Sequence, residues 1–422
     1  WGWFPSFSVG WRLSEEAFMK PIRWIDNLKI RASYGTLGNI NNVGYYDYFQ
    51  SYASNIHYTF SDEDVMGIAE SKPANATLGW ETVALTDFGV DLDLFGGKLS
   101  LTADYYIKNT SDILLEYNVP YETGISTNPS QNFGKVKNTG FELAVSHRHH
   151  IGPVNYSVAA NIATNRNRIV DMGTSNDLIS TSSYIITYIF REGYSVGSFY
   201  GYQADGLYTQ EEIDAGHYYT LSGVTPNAGD IKFVPQREGV EWGDDITADD
   251  RTIIGKDVPD FTYGLNLSFE YKGLELSMFG QGVSGTSVAF DVYGVHPFYH
   301  GQDQPRKFHL NRWTEENPDP HAAYPRIYSA SSPHTTYNRN FNSYHLFDAD
   351  YFRIKTLSLG YSIPQNLINK WGLQTLKVFL TGENLFTARA DKRMKDFDPE
   401  TAGGVIYNLG TKSIALGVNV SF

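Results

Sequence analysis

The sequence predicts an all-β fold, an antiparallel barrel whose strands cross a membrane, and three observations point to it. Eleven segments alternate apolar and polar residues with a period of two, as a strand with two different faces does. The connections between them alternate strictly between short and long. Aromatic residues reach 15% while charged residues stay at 19%, below the roughly 25% of an average soluble domain. That balance is too apolar for a disordered chain and too aromatic for an ordinary polar surface.

The segments are 3–13, 28–36, 80–95, 98–108, 140–151, 154–164, 261–272, 274–283, 352–364, 376–387 and 411–422. Each is about the length of a tilted strand in a bilayer, roughly 9–11 residues or slightly more. The last one shows the pattern clearly: Ile414, Leu416, Val418, Val420 and Phe422 share one face, opposite Ser413, Ala415, Gly417, Asn419 and Ser421. In 261–272, Phe261, Tyr263, Leu265, Leu267, Phe269 and Tyr271 oppose Thr262, Gly264, Asn266, Ser268, Glu270 and Lys272. A terminal aromatic on an amphipathic last strand, Phe422, resembles an outer-membrane insertion signal.

The short connections are 14–27, 96–97, 152–153, Gly273 and 365–375; the long ones are 37–79, 109–139, 165–260, 284–351 and 388–410. In an antiparallel meander every short turn then falls at one end and every long loop at the other, the layout of short periplasmic turns and long extracellular loops. A soluble sandwich also alternates apolar with polar residues. Loops this long are uncommon in a compact soluble domain, so the loop asymmetry decides for the membrane. Trp1, Trp3, Trp11, Trp24 and Tyr271 near strand ends suit interfacial aromatic girdles. Eleven is odd, whereas bacterial single-chain barrels have even counts. The parity creates the expectation that the chain begins inside a barrel, with a partner strand encoded before Trp1.

Composition excludes several classes. The absence of cysteine rules out disulfide scaffolds, zinc ribbons and thiol catalysis. A net charge of −14, most of it from 13 acidic against four basic residues in 205–260, makes nucleic acid a poor partner. No apolar run approaches the ~18 residues of a membrane-spanning helix. No G-x-S-x-G elbow, P-loop or H-E-x-x-H is present, so the chain is not expected to be an enzyme.

With the pattern in hand, a set of motifs resembles the SusC/RagA-type TonB-dependent transporters. They are FPSFSVGWRLSEEAF (4–18), LKIRASYGTLGN (28–39), GSFYGYQADGLY (197–208), GDIKF (229–233) and DRTIIG (250–255) leading into FTYGLNLSFEYKG. RWTEENP (312–318), DYFRIKTLSLGYSIP (350–364), TGENLFT (381–387) and DFDPE (396–400) follow in family order. The resemblance implies that residues 1–422 are the C-terminal half of a plugged barrel of about 22 strands. It implies import of an oligosaccharide or peptide nutrient across the outer membrane of a Gram-negative, Bacteroidota-like bacterium. It also implies a SusD-like surface lipoprotein as lid, energy from the TonB complex through a part outside this chain, and a dimer of transporter–lid pairs. The rival readings are a passive porin-like channel and a soluble or surface glycan-binding β-protein.

Three constellations could carry recognition. Loop aromatics Tyr293, His296, Phe298, Tyr299 and His300, with Tyr324, Tyr328 and Tyr337, offer flat faces to a sugar or to the lid, or pack on one another. EWGDDITADDR (241–251) invites a calcium reading through Asp244, Asp245, Asp249 and Asp250, although Val240 and Trp242 stand where the first two ligands of the family loop would fall; a solvated acidic loop is the alternative. In HRHH, His147 and His149 share a strand face from which His150 diverges, so an interfacial turn explains them better than a metal.

Overall fold

The structure is a computed structural model describing all residues except 1, 42, 43, 45, 117–120, 126–128, 174–176, 183, 184, 291–294, 299–303 and 401–409. Its frame is one antiparallel sheet in which eleven strands follow one another in chain order. They are β1 (Ser6–Arg12), β2 (Ile25–Asn39), β3 (Glu81–Leu94), β4 (Leu99–Ser111), β5 (Lys135–Ile151) and β6 (Val154–Thr164), then β7 (Phe261–Tyr271), β8 (Leu274–Ser284), β9 (Tyr351–Ser362), β10 (Thr375–Arg389) and β11 (Ser413–Ser421). Every expected segment is a strand, and the short and long connections alternate as expected. Among the described residues no helix is long and apolar enough to cross a membrane, which says nothing about strands.

The register sorts side chains onto two faces. Tyr105 lies opposite Phe141, Val158 opposite His147 and Leu267, and Leu380 opposite Leu359 and Leu416. This face stays open: Leu416 is 74% exposed, Phe7 70% and Phe88 53%. A soluble protein rarely leaves so continuous an apolar surface uncovered, whereas lipid covers it at no cost. The opposite face is polar and charged. Arg31 meets Asp104 at 2.6 Å, Asp91 at 3.1 Å and Asp87 at 3.4 Å, joining three strands across the inner wall. Glu275 pairs there with Lys377.

Several strands outrun their expected limits. β5 starts at Lys135 rather than residue 140, and β2 runs on through the sequence TLGN to Asn39. Backbone pairing continues above the lipid, but with water on the outer side the apolar alternation stops. Tight turns need left-handed residues, and Gly96, Gly97, Gly152 and Gly273 all have positive φ in the short connections.

Candidate functional site

The long loops fold into a cap over one end of the sheet. At its centre, strand Ser198–Leu207 pairs with Ile231–Val234 and with Arg251–Lys256. Three motifs far apart in sequence, GSFYGYQADGLY, GDIKF and DRTIIG, are thus one small sheet, extended by Ile186–Phe190 and Leu178–Ser182. Loop 285–350 packs into the same core. Tyr202, Leu207, Ile231, Phe233 and Ile246 from the first loop enclose Trp313, Ala322 and Tyr337 from the second. Gly229, at φ 87°, sits under the Trp313 ring, and a Cβ there would come within 2.4 Å of it. Only glycine tolerates both that torsion and that approach.

Polar groups lock the two loops. Asp230 is fully buried; its carboxylate accepts from Asn338 Nδ2 and Asn227 N, and lies 2.8 Å from His334 Nδ1. Asp250 is fully buried too, accepting from the backbone N–H of Gln236, Arg237 and Thr247 and from Arg237 Nε. Burial pushes its carboxyl up, but the backbone donors of Thr247, Arg237 and Gln236 outweigh that and hold it below the usual range.

A second cluster collects imidazoles. His296, His309 and His345 are buried around Tyr324, with the His296 and His345 rings 4.5 Å apart. His296 Nδ1 lies 2.9 Å from Tyr324 Oη, His309 Nε2 donates to Val295 O and His345 Nε2 to Asn338 O. Burial depresses all three, His345 to about 4. They are neutral, buried joints.

The last long loop turns inward. Arg353 of β9, 4% exposed, ion-pairs with Asp398 at 2.6 Å and Glu400 at 2.9 Å, and Lys355 reaches Glu400 at 2.7 Å. DYFRIK on the wall therefore holds DFDPE in the lumen. Arg393, paired with Asp391, donates to the carbonyls of Tyr344 and Leu346 and so joins this segment to the cap.

The residues singled out in the sequence fall unevenly. Among the aromatics, His296, Tyr324 and Tyr337 are buried in the cap, Tyr328 stacks on His334, and Phe298 is 44% exposed. Tyr293, Tyr299 and His300 lie outside the described residues. The four aspartates do not converge: Asp250 is used up by Arg237 and three amides, Asp245 accepts from Thr220 and Gly223, and Asp244 accepts from Glu241 N. Among the described residues no group of three or more His, Asp or Glu side chains could hold a metal ion, so Asp244, Asp245, Asp249 and Asp250 do not fit a calcium site. His147 and His149 share the outer face, with ring centroids 6.4 Å apart. Phe422 is 83% exposed beyond β11. Sequence reasoning missed Asp230, His309, His345, Arg353 and Asp398 as joints. Asp230, Arg353 and Asp398 lay within quoted motifs, which was the available signal.

Comparison with known proteins agrees with this architecture. Residues 1–385 match the family described as TonB dependent receptor-like, beta-barrel. TonB-dependent receptor P3 of Formosa agariphila is 30% identical over 92% of this chain and 37% of its own length. TonB-dependent receptor SusC of Bacteroides thetaiotaomicron is 24% identical over 100% of this chain and 40% of its own. The RagAB peptide importer in its open-open state superposes with a TM-score of 0.76 and 25% identity, covering all of this chain and 43% of that one. The chain thus spans less than half the length of these relatives. With its sheet, its cap and its motifs all in family order, this chain belongs to the TonB-dependent receptor-like β-barrel family, among its SusC- and RagA-like members.

Proposed function

We propose that the chain forms wall and capture cap of an importer in the outer membrane of a Gram-negative bacterium. The importer takes up an oligosaccharide or peptide nutrient with energy from the TonB complex. The observation that carries this reading is the single meander with an apolar outer face, a charged inner face and a fused cap at its long-loop end. A peptide is the better cargo. The inner wall is lined with charge, Arg31 beside Asp87, Asp91 and Asp104 and Lys355 beside Glu400, which suits the ammonium and carboxylate groups of a peptide better than a neutral sugar. Of the described loop aromatics, His296, Tyr324 and Tyr337 are buried inside the cap and Tyr328 stacks on His334, which leaves Phe298 alone exposed among them.

A SusD-like lipoprotein closing over the cap fits the hairpin Ser51–Phe60/Glu63–Lys72. Tyr52, Met66 and Ile68 stand exposed on one face of it and Tyr58 and Phe60 on the other, so either face offers apolar surface of the kind that marks a protein contact. The test is uptake by cells carrying the full-length transporter and its lid. Labelled oligopeptides should enter, and a protonophore should stop them. Uptake that persists without the proton gradient would establish the passive-channel reading instead, and uptake of glycans alone would overturn the peptide cargo.

A further inference from the structure

The outer wall carries a basic crevice just above its apolar belt. β6 and β7 pair up to Thr164 opposite Phe261, and beyond that point they part. Residues 166–171 continue along β5, with Arg166 opposite Thr139 and Arg168 opposite Lys137. Residues 251–256 turn away to join the cap. The gap is an open cavity of about 740 Å³ lined by Arg166, Arg168, Tyr194, Ser195, Lys256 and Phe261.

Register fixes which way this crevice looks. Lys137 lies four pairs above Phe141 on β5, and Phe141 is opposite Tyr105 on the lipid-facing side. Side chains alternate along a strand, so Lys137 and Arg168 stand on that same outer side, with Arg166 two pairs lower. Phe141, Ile162, Tyr263 and Phe261 form the belt beneath them. At roughly 3.3 Å per residue, Lys137 and Arg168 sit about 13 Å and Arg166 about 7 Å along the strands above Phe141, at headgroup height. Lys135 pairs with Asp171 and Lys256 with Asp260, but Lys137, Arg166 and Arg168 have no carboxylate partner among the described residues. In a chain with a net charge of −14, three unpaired cations gathered within two residues of strand length call for an external anion.

We propose that this crevice holds the phosphorylated head of an outer-leaflet glycolipid. Arg166, Arg168 and Lys137 take its phosphates, and its acyl chains lie along Phe141, Ile162, Tyr263 and Phe261. Guanidinium groups bind phosphate in a bidentate way, and a cavity of this volume admits a sugar phosphate. The apolar belt directly below selects a lipid over a soluble anion. The inference rests on the outer-membrane reading given above.

The test uses the full-length transporter, extracted after mixing with phosphatidylcholine vesicles that carry or lack diphosphoryl lipid A. Native mass spectrometry reads the bound lipid. The unmutated protein should retain lipid A, and the Arg166→Glu/Arg168→Glu variant should retain it at least about tenfold less. The Arg166→Lys/Arg168→Lys variant should keep most of it, which separates charge from misfolding. Equal retention by the Glu variant, equal retention of dephosphorylated lipid A, or displacement by excess inorganic phosphate would each overturn the proposal. Failure of the unmutated protein to fractionate with the outer membrane would remove the reading beneath it. Normal fractionation with equal lipid retention removes this inference alone.

Discussion

Arg353 Nη2 donates to Asp398 Oδ1 at 2.6 Å, and that contact holds the last long loop against the inner face of β9. The guanidinium is almost wholly buried and also meets Glu400. Removing one partner of a buried pair leaves an uncompensated charge, at a cost of about 3–5 kcal/mol. Arg353→Ala should therefore free residues 390–400 while the barrel strands stay intact. Hydrogen exchange should rise in that segment and not in β9 or β10; unchanged exchange would mean the pair holds nothing.

Neighbours on one strand should respond oppositely to charge. Leu265 faces out, opposite Ala160 and Gly280, and Asn266 faces in. Leu265→Arg should cost about 2–4 kcal/mol near the bilayer midplane, and Asn266→Arg well under half of that. Refolding titrations into lipid vesicles read both, and equal penalties would contradict the register.

Orientation can be read with thiols, because the chain has no cysteine of its own. The Gly273 turn is a poor place for one, since a Cβ there would lie 2.6 Å from the Ser362 carbonyl. Lys272 beside it already holds a positive φ. In whole cells an impermeant maleimide should label Glu238→Cys in the cap and leave Lys272→Cys untouched. The reverse pattern would invert the topology.

Acid should loosen the cap before the barrel. His296, His309 and His345 have depressed values in the folded state, so they stay neutral there while the unfolded chain takes up protons near pH 6.5. Their contribution is complete above that value and is lost as pH falls from there towards about 4, the value of His345. Asp250, held low by its amides, adds loss in the same direction. Protease protection of 178–256 and 307–348 should fall between about pH 6.5 and pH 4. His345→Asn, which keeps a donor for Asn338 O, should flatten that fall.

Asp250→Ala should cost about 2–3 kcal/mol of cap stability, since it strands the part-exposed Arg237 and three backbone amides that the buried carboxylate satisfies. Thermal unfolding of the cap reads this, and a shift under about 1 kcal/mol would place those amides in contact with water.

The barrel was legible because each strand lies between lipid and water, and that contrast writes a period of two into the sequence. The cap was not. Ser198–Leu207 is covered on both faces for most of its length, so SFYGYQADGL carries no clean alternation. Its partners lie tens of residues away and emerge only when the chain is traced. Arg353 and Asp398 stood inside recognised motifs, but nothing in their spacing says that a wall strand grips a loop. The imidazole cluster misled in another way: His296 and Tyr324 read as display surfaces because loops are ordinarily wet, and here two loops bury each other.

That mutual burial bears on how such a protein can be re-engineered. Tyr202 and Phe233 belong to one loop and Trp313 to another, yet they occupy one core, and Arg393 ties in a third loop. A recognition loop moved alone into a sister protein would arrive with half an interior and expose the other half. Residues 165–260, 285–350 and 390–400 form a single transplantable unit, and chimaeras cut between them should misfold wherever they are joined.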